Sequence, residues 1–310
     1  MLLIRQPKST PAALLNGCVA TIGVYDGLHV GHQLILSRVL AAASDQGLPA
    51  LMFSFEPTPK EYFNVATPPA RLMRFREKYR ALQASGVDVF YCPRFQKALS
   101  SLEPQAFVEQ LLKGMLNVKH LVVGDDFRFA RNRSGTIEDL IVAGERYGFT
   151  VEQVGSVVLD GERVSSTGIR SALLAGDLAK ASRMLGRPYR MSGRVVAGQR
   201  LGHTLGFPTA NLKLNRKLSP LAGIFAVRVV GLGDKPLHAV ASLGTRPTVN
   251  GVEPLLEVHI FDFSDDIYGK HIDVEFVAKL RDEEKFPNLE TMRKQMHIDA
   301  AEARAILAAA

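Results

Sequence analysis

The pattern of apolar segments changes character part-way along the chain, and this change constrains the fold more than any single motif does. Up to about residue 155, short strand-like apolar runs (18–24, 49–55, 87–92, 119–123 and 150–154) alternate with segments that carry apolar residues at helical spacing (32–43, 70–84, 104–116 and 137–147). Repeated β-α units of this kind predict a parallel sheet with helices on both faces. Two short helices, 167–174 and 177–185, follow. From Tyr189 onward, six strand-like runs (193–197, 209–214, 224–231, 237–243, 255–263 and 271–280) are separated by Gly, Pro and Asn, which predicts an antiparallel barrel of six strands. Residues 288–307 then read as one long helix with Leu289, Met292, Met296, Ala300 and Ala303 on one side. The expected domains are 1–186, of α/β type, and 187–310, a β-barrel with a terminal helix.

The 310-residue length suits two domains at about 150 residues each. With 46% hydrophobic and 22% charged residues, disorder, collagen and coiled coil are excluded. The net charge of +7 favours anionic partners, and it is spread evenly: 21 basic against 17 acidic residues up to Gly186, and 17 against 14 after it. Its densest stretch is Arg71, Arg74, Arg76, Lys78 and Arg80, which reads either as a solvated helix face or as a phosphate or nucleic-acid patch. Cys18 and Cys92 each sit in an apolar run, as expected of buried thiols in a reduced compartment. No run of 18 apolar residues occurs, and the apolar stretches before Asn16 are too short for a signal peptide, so a cytoplasmic protein without a membrane partner is expected.

Ligands of parallel α/β sheets bind beyond the carboxyl ends of the strands. The strongest signal there is Gly23-Val24-Tyr25-Asp26-Gly27-Leu28-His29-Val30-Gly31-His32, a glycine-rich turn where a strand hands over to a helix. A helix N-terminus offers unpaired N–H groups and partial positive charge to a phosphate, and imidazole donors stabilise charge that develops on a transferring phosphoryl group. The pair His29 and His32 equally fits a helix cap or a core lining. Zinc is a third reading, although no Cys or further His cluster lies nearby to complete a site.

The segment 21–33 closely resembles the start of the bacterial bifunctional riboflavin kinase/FAD synthetases, whose first domain is a Rossmann-like nucleotidyltransferase with a His-x-Gly-His motif. Further segments resemble the same family in order: Phe55-Glu56-Pro57-Thr58-Pro59, Arg71-Leu72 with Phe75-Arg76-Glu77-Lys78, Gly124-Asp125-Asp126-Phe127-Arg128-Phe129, Ser165-Ser166-Thr167-Gly168-Ile169-Arg170, Leu185-Gly186-Arg187-Pro188-Tyr189, Gly206-Phe207-Pro208-Thr209-Ala210-Asn211, Gly244-Thr245-Arg246-Pro247-Thr248, Leu256-Glu257-Val258-His259, and Leu280-Arg281 with Lys285-Phe286. The resemblance implies that the chain phosphorylates riboflavin with ATP to FMN, then adenylylates FMN with ATP to FAD and pyrophosphate.

By the same resemblance, Glu257 is the general base of the kinase. Gly206, Pro208, Thr209 and Asn211 hold its ATP, Thr209 and Asn211 ligate Mg²⁺, and Arg281 faces the flavin. In the adenylyltransferase, His29 and His32 contact the ATP phosphates with Gly23, Tyr25, Asp26, Gly27, Thr167 and Arg170, while Phe55, Pro57, Asp126 and Phe129 form the FMN pocket. Implied partners are riboflavin, FMN, FAD and ATP, with no nucleic acid. Tyr25, Thr58, Ala130, Thr136, Phe225 and Ser242 depart from the family's usual Phe, longer polar residue, Gly, acidic residue, Tyr and Asn. Two alternatives stand beside this reading: a chain that keeps only the kinase activity, and a nucleic-acid-binding regulator on the same fold.

Overall fold

A computed structural model describes residues 1–7, 9–198, 206–248 and 251–309. They form two compact units, residues 1–69 with 75–164 and residues 70–74 with 165–310.

In the first unit, strands β1 (Leu2–Ile4), β2 (Cys18–Ile22), β3 (Ala50–Phe53), β4 (Val89–Tyr91), β5 (Val118–Gly124) and β6 (Thr150–Val154) form one sheet in the order β1-β4-β3-β2-β5-β6. Every pairing in it is parallel. Every residue of β2 and β3 is buried, as strands covered on both faces must be. Alternate residues divide between two cores: Cys18, Ala20, Ile22, Leu51 and Phe53 pack on one side, Val19 and Ala50 on the other beside Val39 and Ala43 of helix α1 (Val30–Gln46). Helix α1 ends where Gly47 takes a left-handed conformation.

From β2 the chain runs outward through β3 to β4, then returns to place β5 on the other flank of β2. The order therefore reverses beside the carboxyl end of β2, where open α/β sheets bind their ligands. The remaining helices of this unit are α2 (Pro59–Phe63), α3 (Phe75–Ala84), α4 (Lys97–Ser100), α5 (Pro104–Phe107), which continues as a π-helical stretch Val108–Met115, and α6 (Ile137–Tyr147). A two-residue hairpin, β7 (Val158–Leu159) with β8 (Glu162–Arg163), closes it.

The second unit opens with α7 (Ser166–Leu174) and α8 (Leu178–Leu185). Strands β9 (Tyr189–Val196), β10 (Ala210–Lys213), β11 (Gly223–Val230), β12 (Leu237–Thr248), β13 (Gly251–Ile260) and β14 (His271–Arg281) close into an antiparallel barrel in the order β10-β13-β12-β11-β14-β9. Leu212, Leu243, Leu256, Val258, Val274 and Phe276 are all buried, and the residues between them on each strand point outward. Helix α9 (Leu289–Ala309) packs on the outside through Ala303 and Leu307 against Ala226 and Phe261. No helix among the described residues is long and apolar enough to cross a membrane.

The sequence pattern differs from the structure in several places. Helix α3 starts at Phe75 and not at residue 70, because residues 70–74 belong to the other unit: Arg74 donates to the Ser192 carbonyl at 2.6 Å and to the Leu214 carbonyl, and Arg216 donates to the Arg71 carbonyl at 2.6 Å. The arginine-rich stretch is thus not one solvated helix face. Helices α7 and α8 pack with the barrel strands.

Candidate active sites

In the first unit the turn after β2 takes an unusual path to reach α1. Tyr25, Gly27 and Leu28 have φ of 49°, 86° and 44°, so three of the residues between strand and helix are left-handed. Gly27 adopts this without cost, whereas Leu28 is strained. The buried Tyr25 ring lies across Gly23, and its hydroxyl shares a 2.5 Å hydrogen bond with Thr21 Oγ1. Gln33 Nε2 donates to the Leu28 carbonyl at 2.8 Å.

His29 caps α1: its Nδ1 accepts the His32 backbone N–H at 3.3 Å. A ring whose Nδ1 accepts carries its proton on Nε2, so His29 presents an Nε2–H donor. The His32 ring stacks on His29 with centroids 3.5 Å apart and meets the Tyr25 ring at 4.5 Å. Its Nδ1 is buried without a hydrogen-bond partner. Burial, then the His29 ring, then the Lys78 ammonium hold the His32 pKa well below the ordinary imidazole value. Asp26 and Gly27 are buried within the same turn. The cap reading thus holds for His29, and the His32 ring is packed between Tyr25 and His29. Among the described residues no group of three His, Cys, Asp or Glu could hold a metal.

The expected FMN residues differ in burial. Phe55 is half-buried and rests on Phe53 (4.9 Å) and Phe95 (5.5 Å). Pro57 is half-buried beside Thr58, whose side chain and backbone N–H form a capping box with Glu61 at the start of α2. Phe129 is a core residue, packed between Phe107 and Phe127. Asp126 is exposed and pairs with Arg163 at 2.8 Å.

Thr167 and Arg170 lie in the second unit on α7. Ser165, not Thr167, is the cap of this helix, accepting the Gly168 N–H at 3.0 Å. Thr167 is left exposed, and Arg170 donates to the Ala70 carbonyl at 2.6 Å and to the Ser166 carbonyl at 3.2 Å.

The barrel carries a second constellation on its outer face. Register places Asn211 of β10 opposite Glu257 of β13, and Glu257 opposite Ser242 of β12. Residues directly opposite share a face, so the three side chains stand abreast between the inward-pointing Leu212, Leu256 and Leu243. Glu257, Thr209 and Ser242 border a cavity of about 510 Å³ whose apolar walls include Phe207, Ile224, Val240, Met292 and Met296, the last two from α9. Asn211 borders a second cavity, of about 740 Å³, with Lys213, Arg216 and Lys217. Gly198 lies so close to the Asn211 amide that a Cβ there would meet its nitrogen at 2.3 Å. Gly206 and Pro208 precede Thr209, and the Pro208 carbonyl accepts a hydrogen bond from His259 Nδ1 at 2.9 Å.

Arg281 is committed elsewhere. Its Nε and Nη2 donate to the buried Asp299 carboxylate at 2.9 and 2.8 Å, and Nη1 donates to the Asp282 carbonyl at 3.0 Å. Hydrogen bonding to Asp299 pushes the Arg281 pKa up. The guanidinium borders the cavity as part of a clasp between β14 and α9. Side chains of Arg246, Pro247 and Thr248, in one of the resembling segments, lie outside the described residues.

Sequence reasoning missed Lys78, Ser54, Glu283 and His259 as neighbours of these sites. Lys78 could have been found: it lies one turn before the fully buried Leu82, on the inward side of α3.

Comparison with known proteins covers both units. A family model described as FAD synthetase matches residues 12–168 and one described as riboflavin kinase matches residues 185–307. Relatives named bifunctional riboflavin kinase/FMN adenylyltransferase include those of Escherichia coli (strain K12), 45% identical over 98% of this chain and 97% of the relative, and Haemophilus influenzae, 44% identical over 94% and 95%. That of Pseudomonas fluorescens is 46% identical over 94% of each. A crystal structure described as a macrolide-efflux protein from Streptococcus pneumoniae superposes with a TM-score of 0.81 at 32% identity, covering 96% of this chain and 97% of that one. It shares the architecture, and the efflux in its description stays with that protein.

Proposed function

The chain belongs to the family of bifunctional riboflavin kinase/FMN adenylyltransferases, and from that premise we propose how its residues divide the two reactions. It phosphorylates riboflavin with ATP to FMN, and adenylylates FMN with a second ATP to FAD and pyrophosphate.

We assign the kinase step to residues 187–310. Riboflavin occupies the apolar-walled cavity, with its ribityl chain at Glu257, and the ATP phosphates lie in the basic cavity beside Asn211, near Gly206, Pro208 and Thr209. Glu257 takes the proton of the 5′-hydroxyl as that oxygen attacks the γ-phosphorus, and ADP leaves. The alignment of Asn211, Glu257 and Ser242 across three strands carries this reading, because it sets the base and the phosphate-side amide in adjacent register. The Thr209 hydroxyl and the Asn211 amide oxygen, cradled against Gly198, suit a hard cation that arrives with ATP and keeps several waters. Held there, Mg²⁺ would neutralise phosphate charge. Arg281 contributes to the flavin side by holding the cavity wall.

Adenylyl transfer needs no base, since the FMN phosphate is already an anion. It attacks the α-phosphorus and pyrophosphate leaves, so positioning and charge stabilisation supply the catalysis. His29 Nε2–H, His32 and the first N–H groups of α1 face the triphosphate, on the turn shaped by Gly23, Tyr25, Asp26 and Gly27. Thr167 and Arg170, a hydroxyl and a guanidinium three residues apart at the start of α7, are proposed as further phosphate contacts. Phe55 and Pro57 offer the isoalloxazine an apolar surface that Phe129 supports from the core, and Asp126 offers a polar edge. A cytoplasmic location accords with Cys18 and Cys92, buried thiols rather than a disulfide.

Two variants test the division. Glu257→Ala is expected to lose FMN formation while still converting supplied FMN to FAD, and His29→Ala with His32→Ala to do the reverse. Product separation after incubation with riboflavin or FMN and MgATP reads both. Equal loss of the two activities in either variant refutes the assignment.

A further inference from the structure

Lys78 is a cation that neither reaction has yet used. It lies on α3 within the first unit and is only 5% exposed. Its ammonium donates to the Val24 carbonyl and, at 3.4 Å, to Ser54 Oγ, while Ser54 Oγ donates to the same carbonyl at 3.2 Å. Val24 sits at the head of the turn that ends in His29, just before the left-handed residues Tyr25, Gly27 and Leu28. Its carbonyl lies past the end of β2 and before the first turn of α1, so neither element supplies it with an N–H, and side-chain donors satisfy it instead. A serine alone could satisfy it. Lys78 is a second, charged donor to it, and charge-assisted hydrogen bonds are about twice as strong as neutral ones.

We propose that Lys78 is a positioning residue for adenylyl transfer: by clamping the Val24 carbonyl together with Ser54, it fixes the turn that aims His29 and the N-terminus of α1 at the nucleotide phosphates. This rests on the assignment of that turn to ATP. Lys78 does not itself touch the nucleotide. It acts through the backbone of a turn whose strained residues would otherwise relax, and a displacement of about 1 Å at such a site costs on the order of a hundredfold in rate.

The charge has a second effect at the same place. Among the described residues, Tyr25 from the turn, at 4.5 Å between centroids, and His29 from the helix cap, stacked at 3.5 Å, face the His32 ring, and the Lys78 ammonium of α3 acts on its charge. Burial pushes the Tyr25 phenol up, so it stays neutral. Lys78 therefore adds to burial and to His29 in opposing protonation of His32, which keeps the two stacked imidazoles from repelling each other.

Full-length Lys78→Met and Lys78→Gln test this, assayed for both reactions, with the histidine imidazole resonances followed by NMR against pH. Both variants are expected to lower kcat for FAD formation at least about tenfold, with KM for FMN within about twofold and FMN formation from riboflavin unchanged. A KM for FMN close to that of the wild type certifies that the unit carrying Lys78 is folded, and retained FMN formation that the other unit is. In both variants His32 takes up its proton at higher pH than in the wild type, because a neighbouring positive charge has gone; a role confined to stability would leave that titration in place. FAD formation within about twofold of wild type in both variants, or a His32 titration that does not move, overturns the proposal. Should both variants fail to fold, Ser54→Ala removes the second donor and keeps the charge: a smaller loss of kcat with an unmoved His32 titration supports the clamp, and full activity overturns it. His29→Ala with His32→Ala is run alongside. If that variant keeps FAD formation, the assignment of the turn to ATP falls and the proposal with it. If it loses FAD formation while the Lys78 variants keep it, only the role of Lys78 falls.

Discussion

Two of the positions where this chain departs from its family's usual residues fare differently at the atomic scale. Tyr25 brings an extra hydroxyl into a buried site, and Thr21 partners it at 2.5 Å, so the change is absorbed. Ala130 stands where Gly is usual and adopts φ 63° and ψ −166°, a region that a Cβ disfavours. Its neighbours Asn132 and Arg133 are also left-handed, and the Phe129–Gly135 pair of backbone hydrogen bonds holds the loop closed around them. Relief of strain at one such residue is worth about 1–3 kcal/mol, against about 0.5–1 kcal/mol for the greater freedom of an unfolded glycine. Ala130→Gly is therefore expected to stabilise the first unit by about 1 kcal/mol, read as a higher urea midpoint; a lower one would show that the loop bears no such strain. The histidine pair was legible because glycines and a strand-to-helix handover frame it. Lys78 was harder to single out, because a lysine among arginines on a polar helix reads as a solvated charge unless its place one turn before the apolar Leu82 is weighed.

Elements were legible where their ends are chemically marked. Helix α6 matches its expected span because Thr136 forms a capping box with Asp139 at one end and Gly148 turns left-handed at the other. Strand β6 likewise keeps its expected limits. Strands β1, β7 and β8, of two or three residues, are too short to show a period, and tertiary pairing alone defines them. The terminal helix shows a subtler limit. Leu289, Met292, Met296, Ala300 and Ala303 share one side, yet Asp299, Ala303 and Leu307 are the buried residues, while Met292 and Met296 line the cavity. One half of α9 packs and the other forms a wall, joined where Asp299 receives Arg281 and, at 2.9 Å, Gln295 Nε2. Loss of Asp299 removes the buried partner of a guanidinium that keeps Asp282 and Glu284, at a cost of about 1–3 kcal/mol. Asp299→Ala should lower the thermal midpoint of the barrel unit and raise KM for riboflavin, with FAD formation from FMN spared. Asp299→Asn, which keeps an acceptor, should do less of both. An unchanged KM in Asp299→Ala would separate the clasp from the cavity.

At the scale of the whole molecule, the even division of charge, 21 basic against 17 acidic residues before residue 187 and 17 against 14 after it, accords with small phosphorylated substrates for each reaction. The change of apolar pattern foretold an α/β sheet followed by a barrel, and the structure has both. What the pattern could not convey is which side chains stand abreast, since Asn211, Glu257 and Ser242 are far apart in sequence and meet only through strand register. If each reaction has its own machinery and FMN is released between them, then a chain that lacks one activity should be rescued by a chain that lacks the other. Glu257→Ala alone makes no FMN from riboflavin. His29→Ala with His32→Ala makes FMN and stops. Mixed in equal amounts with riboflavin and MgATP, the two proteins are expected to form FAD after a lag that shortens as protein concentration rises, because FMN must leave one chain and be bound by another. A mixture that accumulates FMN without FAD, although Glu257→Ala alone converts supplied FMN, would mean that the product of the first step does not become available in solution. A Glu257→Ala protein inactive toward supplied FMN would instead mean that the two reactions share machinery the present assignment keeps apart.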